Sequence, residues 1–300
     1  MQGRFRGIWP ILYTYFDAAE RLDRAAMRLQ VEACIRGGAH GIAMLGFVGE
    51  FYKLTIAERR TLIDWVCEDV AGRIPVAVTV NEASVPGQVE IAKASEAAGA
   101  AWLILQPAQI KGLSEAAHLR FLGAVADRTG LPVGIQNNPA SMDVALSPAG
   151  LVALNRNHAN VCLMKGEGPI LYVKRLVEET GGVFDIFNGQ GGLELPNTLR
   201  AGCVGMVPAP DAFDVHVQVW ALLEAGRQAA AEALHRSILP LVNFMMMPGN
   251  SEHYVCYGKA LFARRAGIEG FHQRQPAAVA DAFGERIVAE YAAGLPSLAG

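Results

Sequence analysis

The sequence predicts an α/β fold, and within that class a (β/α)8 TIM barrel with additional C-terminal helices. Eight apolar runs bounded by turn residues recur at spacings of about 19 to 34 residues, each long enough for a strand, a helix and two loops. Segments with helical periodicity separate these runs. The runs span residues 7–13, 41–46, 75–81, 101–106, 132–137, 161–165, 184–188 and 203–207.

The predicted strands carry apolar residues side by side and not in alternation. Residues 76–80 read VAVTV, and residues 102–105 read WLIL. A strand of a parallel sheet that is covered by helices is buried on both faces, which produces this pattern. Right-handed crossovers then close the sheet into a ring. A doubly wound open sheet is the alternative architecture.

The segments between the strands predict an outer ring of helices. Residues 24–36 place Met27 and Val31 on one apolar stripe, and residues 56–70 carry a similar stripe. Glycines such as Gly99 follow the helical pattern just before a strand, because glycine tolerates the positive φ that ends a helix. These helices are expected to surround the strands.

Length and composition limit the domain organisation. A chain of 300 residues with 52% hydrophobic and 18% charged positions is not disordered, and it exceeds the usual size of one core unless the fold is a large barrel or two domains. No second domain is visible. We predict a barrel over residues 1–225 and a C-terminal helical extension, packed on it, over residues 226–300.

Charge and motif content indicate a small-molecule partner. A net charge of −3 gives no footprint for nucleic acid or an acidic membrane surface. No apolar stretch approaches the roughly 20 residues that span a bilayer, and the N-terminus lacks a signal peptide. The five cysteines form no CxxC pair and the seven histidines no HExxH motif. We therefore expect a cytoplasmic protein with neither a metal nor a cofactor.

Lys165 is the most unusual polar residue of the predicted strands. It is one of six lysines, and it alone closes a buried apolar strand. In barrels of this type, reacting groups come from the carboxyl ends of strands. A lysine partly removed from water there keeps some neutral amine, which can attack a carbonyl and form a Schiff base. The alternative is a strand-end lysine whose amine reaches out to water.

Several motifs, at their separations along the chain, resemble the dihydrodipicolinate synthase and N-acetylneuraminate lyase superfamily. The resemblance implies a barrel, commonly tetrameric, in which the lysine at Lys165 binds a 2-oxo acid as an imine. It covers nearly the whole chain. The matching segments are Gly-x-x-Gly-Glu at 46–50, Asn137-Asn138-Pro139, Lys165, the opening 7–23, residues 199–205 and Lys259-Ala260-Leu261.

Three positions depart from the synthase and lyase branches. In those branches, the residue at Gln136 is a tyrosine that relays protons to the imine, whereas a glutamine cannot titrate near neutrality. The family's Ser/Thr pair falls at Phe47 and Val48. The tyrosine that a neighbouring subunit contributes falls at Gln109. These losses argue against synthase activity.

A glutamine at residue 136 within Gln-x-x-Pro-Ala-Ser, and Glu167 two positions after the lysine, resemble the L-2-keto-3-deoxyarabonate dehydratase branch. The resemblance is partial, since that branch has other residues at Phe47 and Val48. Its enzymes remove water from a 3-deoxy-2-oxo sugar acid. An iminium at C2 acidifies the C3 protons, and the enamine expels the C4 hydroxyl once an acid protonates it.

We therefore predict that Lys165 is the nucleophile, that Glu167 transfers the proton, and that Gln136 orients the substrate or a water. Backbone amides of the loop at residues 47–49 are predicted to hold the substrate carboxylate. The predicted substrate-binding residues are Phe47, Val48, Gly49, Asn137, Asn188 and Val207.

Several of these residues also have structural interpretations. Glu50 is expected to cap or ion-pair the loop before the second helix. Glu167 precedes a predicted helix, and it could contact the helix N-terminus instead of taking part in catalysis. Asn137 and Asn138 could form a turn before Pro139.

The sequence thus favours a Schiff-base lyase that acts on a 2-oxo acid, foremost a 2-keto-3-deoxy sugar acid dehydratase. One alternative is an aldolase or a synthase of the dihydrodipicolinate type. Another is a non-catalytic protein that binds a 2-oxo acid on the same fold. From the family, we expect a homotetramer.

Overall fold

The sheet consists of eight parallel strands in the order β1-β8-β7-β6-β5-β4-β3-β2. The computed structural model describes residues 5–246 and 251–300. All eight predicted strands are present within these residues. They are β1 (Gly7–Ile8), β2 (Ile42–Met44), β3 (Val76–Val80), β4 (Trp102–Leu105), β5 (Val133–Asn137), β6 (Val161–Gly166), β7 (Asp185–Asn188) and β8 (Gly205–Met206).

The sheet closes into a barrel between the segment that follows β1 and strand β2. Ile11 forms a parallel bridge with Ala43. The amide of Leu12 donates to the carbonyl of Ala43 at 2.9 Å, and the amide of Ala43 donates to the carbonyl of Pro10 at 3.0 Å. The (β/α)8 barrel is therefore confirmed, and the alternative of an open doubly wound sheet is wrong.

The predicted bounds of the first and last strands are wrong, because both strands are shorter than expected. Residues 7–13 and 203–207 were expected to be strands, but β1 and β8 each contain two residues. Pro10 and Pro208 carry no amide hydrogen and interrupt the ladder. Pairing continues past the strands, since the amide of Ile11 donates to the carbonyl of Pro208 at 2.8 Å.

Helices surround the barrel and continue beyond it. The two helices predicted at residues 24–36 and 56–70 are confirmed with those bounds. The helices are α1 (Arg24–Arg36), α2 (Ile56–Val70), α3 (Val85–Ala98), α4 (Glu115–Ala126), α5 (Pro139–Met142), α6 (Pro148–Asn157), α7 (Ile170–Glu179), α8 (Leu195–Arg200), α9 (Phe213–Glu224), α10 (Gln228–Met246), α11 (Ser251–Ala266) and α12 (Ala282–Ala293).

Local capping explains where the first two long helices begin. The side chain of Asp23 accepts from the amide of Ala26 at 3.0 Å at the start of α1. At the start of α2, Thr55 and Glu58 form a capping box, in which each side chain accepts from the other residue's amide. These bonds satisfy amides that have no partner within the helix.

The barrel interior is filled by apolar side chains, and it becomes polar at the carboxyl ends of the strands. Trp9, Trp102 and Phe187 belong to one buried cluster, with ring centroids 5.5 to 5.9 Å apart. Side chains two residues apart on a strand face the same side. Leu163 lies in this interior cluster, so Lys165 on the same strand also faces the barrel interior.

The C-terminal helices pack against the barrel. Ala212, directly before α9, and Val215, in its first turn, share one apolar cluster with residues of α10, α11 and α12. The division of the chain between residues 225 and 226 stays a prediction. Among the helices of the described ranges 5–246 and 251–300, none combines the length and apolar character needed to cross a bilayer.

A buried ion pair fastens α11 to the loop after β2. Lys259 on α11 is fully buried, and its Nζ donates to Oε2 of Glu50. Lys53 donates to the other carboxylate oxygen of Glu50 at 3.0 Å. Burial lowers the pKa of Lys259, and the charge of Glu50 opposes that effect. The contacts of Glu50 are those of the structural interpretation.

Replacement of Lys259 by methionine is expected to destabilise the fold by about 3 kcal/mol, because it leaves a buried carboxylate with one cation instead of two. The measurement is urea unfolding followed by circular dichroism. Lys174→Met is the matched control, since Lys174 is half exposed and its ion-pair partner within residues 5–246 and 251–300 is Glu178, one turn away. That control should lose less than about 1 kcal/mol. Equal unfolding midpoints for the two variants would contradict this account.

Candidate active site

Lys165 and Glu167 lie together at the carboxyl end of β6, inside the barrel mouth. Lys165 is 7% exposed and Glu167 is 7% exposed. The Nζ of Lys165 lies 3.3 Å from Oε2 of Glu167. Gln136 is the register partner of Lys165 on the neighbouring strand β5. The structure thus places the three residues that were predicted to be catalytic side by side.

The carboxylate of Glu167 receives several N–H donors on one oxygen. Nε2 of Gln136 donates to its Oε2 at 2.7 Å, and Nδ2 of Asn138 donates to the same atom at 3.1 Å. Together with Nζ of Lys165, these donors hold the carboxyl group in one position. Such a group can accept a proton without rearrangement.

A residue other than Glu167 caps the N-terminus of the helix that follows β6. Glu167 was alternatively expected to contact this N-terminus. The amide of Ile170, the first residue of α7, donates to Oε2 of Glu194 at 2.9 Å. Glu167 points instead toward Gln136, Asn138 and Lys165. Its position therefore fits a role in proton transfer better than a role in capping.

Gly189 makes room for the Glu167 carboxylate. A Cβ atom at this position would lie 1.9 Å from Oε1 of Glu167 and 2.8 Å from its Cδ. Gly189 directly follows β7, and its amide donates to Oδ1 of Asn188 at 2.7 Å. The absence of a side chain at residue 189 thus determines where the carboxylate can lie.

Gln136 is the end of a row of side-chain amides that crosses the mouth. Nε2 of Gln106 donates to Oε1 of Gln136 at 2.7 Å, and Nδ2 of Asn81 donates to Oε1 of Gln106. Gln106 and Gln136 are buried, with exposures of 0% and 1%. We call Asn81, Gln106 and Gln136 the amide row. Amides neither gain nor lose protons near neutrality, so the row can orient groups but cannot relay protons.

The loop predicted to bind the substrate carboxylate forms a single 3₁₀ turn over Phe47–Gly49. The amide of Gly49 donates to the carbonyl of Gly46 at 3.0 Å. Of the three amides predicted to hold a carboxylate, those of Phe47 and Val48 are therefore the ones that could do so. Both side chains are half-buried, and the ring of Phe47 lies 5.6 Å from that of Phe51.

Asn137 is bonded away from the cluster around Glu167. Its Nδ2 donates to the carbonyl of Leu146 at 2.9 Å and to the hydroxyl of Tyr172 at 3.1 Å, and its Oδ1 accepts from the amide of Leu146 at 3.1 Å. These contacts favour the structural interpretation, in which Asn137 fixes the loop after β5. Its predicted role in substrate binding has no support in this geometry.

Two further predicted binding residues lie at the ends of β7 and β8. Nδ2 of Asn188 donates to the hydroxyl of Thr198 at 3.1 Å, and the carbonyl of Asn188 accepts from the amide of Val207 at 2.8 Å. Val207 belongs to the interior cluster. Both residues line the barrel near its mouth. The hydrogen bonds of Asn188 stabilise the loop that follows β7.

Sequence reasoning passed over Gln106 and Asn138 as site residues. Asn138 donates to Glu167, and its own Oδ1 is buried without a hydrogen-bond partner in the described part of the chain. The alternation of side chains along a strand could have identified both residues. Residue 106 directly follows β4 and continues the face of residue 104, just as residue 138 directly follows β5 and continues the face of residue 136.

A second polar cluster lies at the ends of β1 and β8. The hydroxyl of Tyr13 donates to Oδ1 of Asp211, and Tyr254 on α11 also hydrogen-bonds this carboxyl group. Burial raises the pKa of Asp211 to about 6 and the pKa of Tyr13 well above its usual range. The cluster ties α11 to the barrel mouth.

The fold and the placement of these residues define a class. The protein is a barrel enzyme whose polar groups gather at the carboxyl ends of the strands, where enzymes of this fold carry out their reactions. The chain belongs to the dihydrodipicolinate synthetase family, whose profile matches residues 4–264. The prediction of this family, and of a lyase, is confirmed.

Three relatives illustrate the range of the family. The L-2-keto-3-deoxyarabonate dehydratase of Azospirillum brasilense is 28% identical over 282 residues, which cover 91% of this chain and 89% of that one. The 4-hydroxy-tetrahydrodipicolinate synthase of Thermus thermophilus is 31% identical over 207 residues, or 68% and 69% of the two chains. The Escherichia coli protein YagE, provisionally named a 2-dehydro-3-deoxy-D-gluconate aldolase, is 28% identical over 243 residues, or 79% and 80%.

A solved structure supports the fold. The crystal structure of YagE in complex with pyruvate superimposes on this chain with a TM-score of 0.86 and covers 97% of this chain and 99% of the YagE chain. Its sequence identity in that superposition is 23%, so this likeness concerns the fold.

Proposed function

We propose that the protein is a Schiff-base lyase that removes water from a 2-keto-3-deoxy sugar acid. The observation that carries this proposal is the placement of Glu167, whose Oε2 lies 3.3 Å from Nζ of Lys165 and 2.7 Å from Nε2 of Gln136. One carboxylate thus lies beside the candidate nucleophile, and C3 of an imine formed on that amine is two bonds from Nζ.

The first half of the reaction forms an imine. The ammonium of Lys165 gives a proton to Glu167, and the neutral amine attacks the C2 carbonyl carbon of the substrate. The attacking nitrogen gives a second proton to the former carbonyl oxygen, which makes a carbinolamine. Glu167 then returns the first proton to that oxygen, which leaves as water. A positively charged iminium between Nζ and C2 remains, and Glu167 is again a carboxylate.

The second half eliminates the C4 hydroxyl. Glu167 takes a proton from C3, and the electrons of that C–H bond flow toward the iminium nitrogen to give an enamine. Glu167 then donates this proton to the C4 hydroxyl, which leaves as water while the iminium re-forms. Hydrolysis releases the unsaturated 2-oxo acid and regenerates Lys165. The net change is the loss of one water at constant carbon count.

Gln136 supports this reading because it stands where other branches of the family use a tyrosine relay. Its amide cannot transfer a proton near neutrality, so Glu167 is the group that transfers protons in this mechanism. The Azospirillum brasilense dehydratase, similar over most of both chains, supports the same reaction. YagE supports an aldolase as the second candidate.

Product analysis separates the candidates. The purified protein should be incubated with 2-keto-3-deoxy sugar acids of five and six carbons, and the products identified by mass spectrometry. We expect a product of unchanged carbon count that is lighter by one water. Released pyruvate would establish an aldolase instead. Binding seen by calorimetry with neither product would favour the non-catalytic alternative.

We also propose a cytoplasmic location and a homotetramer. The five cysteines are unpaired in the structure, which suits a reducing compartment. Ile110 and Leu113, in the loop after β4, are 44% and 41% exposed, and a subunit contact would cover them. The substrate partner is a small 2-oxo acid, with no role for nucleic acid.

A further inference from the structure

The hydrogen bonds of the amide row all run in one direction, from Asn81 to Glu167. We propose that Gln106 is a positioning residue that sets this direction. By fixing which way the Gln136 amide points, Gln106 keeps Glu167 ready to accept the substrate proton. This inference rests on the proposed function for its catalytic meaning. Gln106 is fully buried and donates to Gln136, which in turn donates to Glu167, so Gln106 acts on Glu167 through Gln136.

Every bond of the row donates toward Glu167. Asn81 donates to Gln106, Gln106 donates to Gln136, and Gln136 donates to Glu167. A carboxylate accepts hydrogen bonds without donating any, so it is the natural end of such a row. The orientation of each amide therefore depends on the orientation of the one before it.

The reversed orientation of Gln136 is unfavourable at both of its ends. Turning the amide by half a rotation would bring its Oε1 against Oε2 of Glu167, where two acceptors would oppose each other. It would also bring its NH₂ group against the NH₂ group of Gln106. A buried polar atom left without a partner costs about 1 to 3 kcal/mol. The N–H group that Gln106 donates thus selects one of the two orientations of the Gln136 side-chain amide.

Gln106 itself is held from three sides. Its Oε1 accepts from Asn81, and its backbone carbonyl accepts from Nε2 of the buried Gln88 at 2.9 Å. Its amide donates to the carbonyl of Val80 at 3.0 Å. The carbonyl of Asn81 accepts from Arg59 at 3.0 Å. The row is therefore anchored on β3 and β4, away from the reacting groups.

The orientation matters for the proton that Glu167 must carry. Hydrogen bonds donated to a carboxylate stabilise its charged form, whereas an opposing acceptor favours protonation. With the row as observed, Gln136 presents an N–H donor to the carboxyl group of Glu167, beside Nζ of Lys165 and Nδ2 of Asn138. With the row reversed, Glu167 would hold a proton at higher pH and would not remove one from C3.

Two variants are designed to reverse the row. In Gln106→Glu, the new carboxylate accepts from both neighbours, so the Gln136 amide turns its oxygen toward Glu167. In Asn81→Asp, the charge lies farther from Glu167, and the reversal must pass through Gln106 and Gln136. Gln218→Glu on α9 is the control, because it makes the same charge change at an exposed position.

The primary measurement is the pH titration of the ¹³Cδ signal of Glu167, which is assigned by its loss in Glu167→Gln. We expect the titration midpoint to rise by about one pH unit or more in both row variants, and to stay unchanged in Gln218→Glu. The acid limb of kcat/KM should move with it, with kcat lowered about tenfold or more and KM changed by less than about threefold.

Each outcome decides the proposal. Midpoints equal to wild type in the folded row variants would overturn it. A rise in Gln106→Glu alone would also overturn it, since a nearby charge without reorientation would then explain the effect. If both midpoints rise but the wild-type protein turns over no keto-deoxy acid, the proposed function fails while the positioning role stands. Asn81→Asp keeps the test valid if Gln106→Glu does not fold.

Discussion

The Lys165→Ala protein is expected to gain no mass when it is treated with pyruvate and borohydride, whereas the wild-type protein gains one reduced pyruvate. Borohydride reduces an imine to a stable amine, so the adduct records the bond between Nζ and C2. Without Nζ no imine can form, and turnover should fall by at least about 10⁴-fold. The measurement is intact mass spectrometry, followed by peptide mapping.

Lys111→Ala provides the control for this variant. Lys111 is exposed in the loop after β4, and its removal should leave trapping at the wild-type level. An adduct on Lys165→Ala would show that another lysine reacts, and it would remove the basis for the mechanism. Circular dichroism should confirm that both variants are folded before the comparison is made.

The Glu167→Gln protein is expected to trap pyruvate slowly but to lose about 10² to 10⁴-fold in turnover, the range typical of a removed acid or base. The amide is close in shape to the carboxylate but cannot take the proton from C3. Formation of the imine needs proton transfer too, though water can supply some of it. Steady-state kinetics together with borohydride trapping separates the two steps.

Glu194→Gln is the matched control. Glu194 accepts from the amide of Ile170 at the start of α7. A glutamine there keeps an acceptor oxygen but loses the negative charge, so the variant should lose about 0.3 to 1 kcal/mol of stability with little effect on kcat. The opposite pattern, in which Glu167→Gln loses stability but keeps its turnover, would show that Glu167 is structural and would end its assignment to proton transfer.

The barrel could be predicted from the sequence because its evidence is local. Runs such as residues 102–105 are apolar at every position, and this follows directly from burial on both faces. The helix at residues 56–70 is specified by its own stripe and by the capping residue Thr55. Strand ends near Pro10 and Pro208 were missed, although proline is visible in the sequence.

The site was only partly predictable, for two reasons. The choice of Asn137 over Asn138 neglected the period of two, which places Asn138 with Gln136 on the side of Glu167. The pairing of Glu50 with Lys259, by contrast, joins residues far apart in the chain. Contacts of that kind depend on how α11 packs against the barrel, and no local pattern specifies them.

The most direct test of the central claim is a crystal structure of the wild-type protein soaked with pyruvate and reduced with borohydride. We predict continuous electron density from Nζ of Lys165 to C2 of the ligand, with the carboxylate of Glu167 beside C3. Pyruvate held without a covalent bond, with Nζ still paired to Glu167, would contradict the account. So would an adduct on any other lysine.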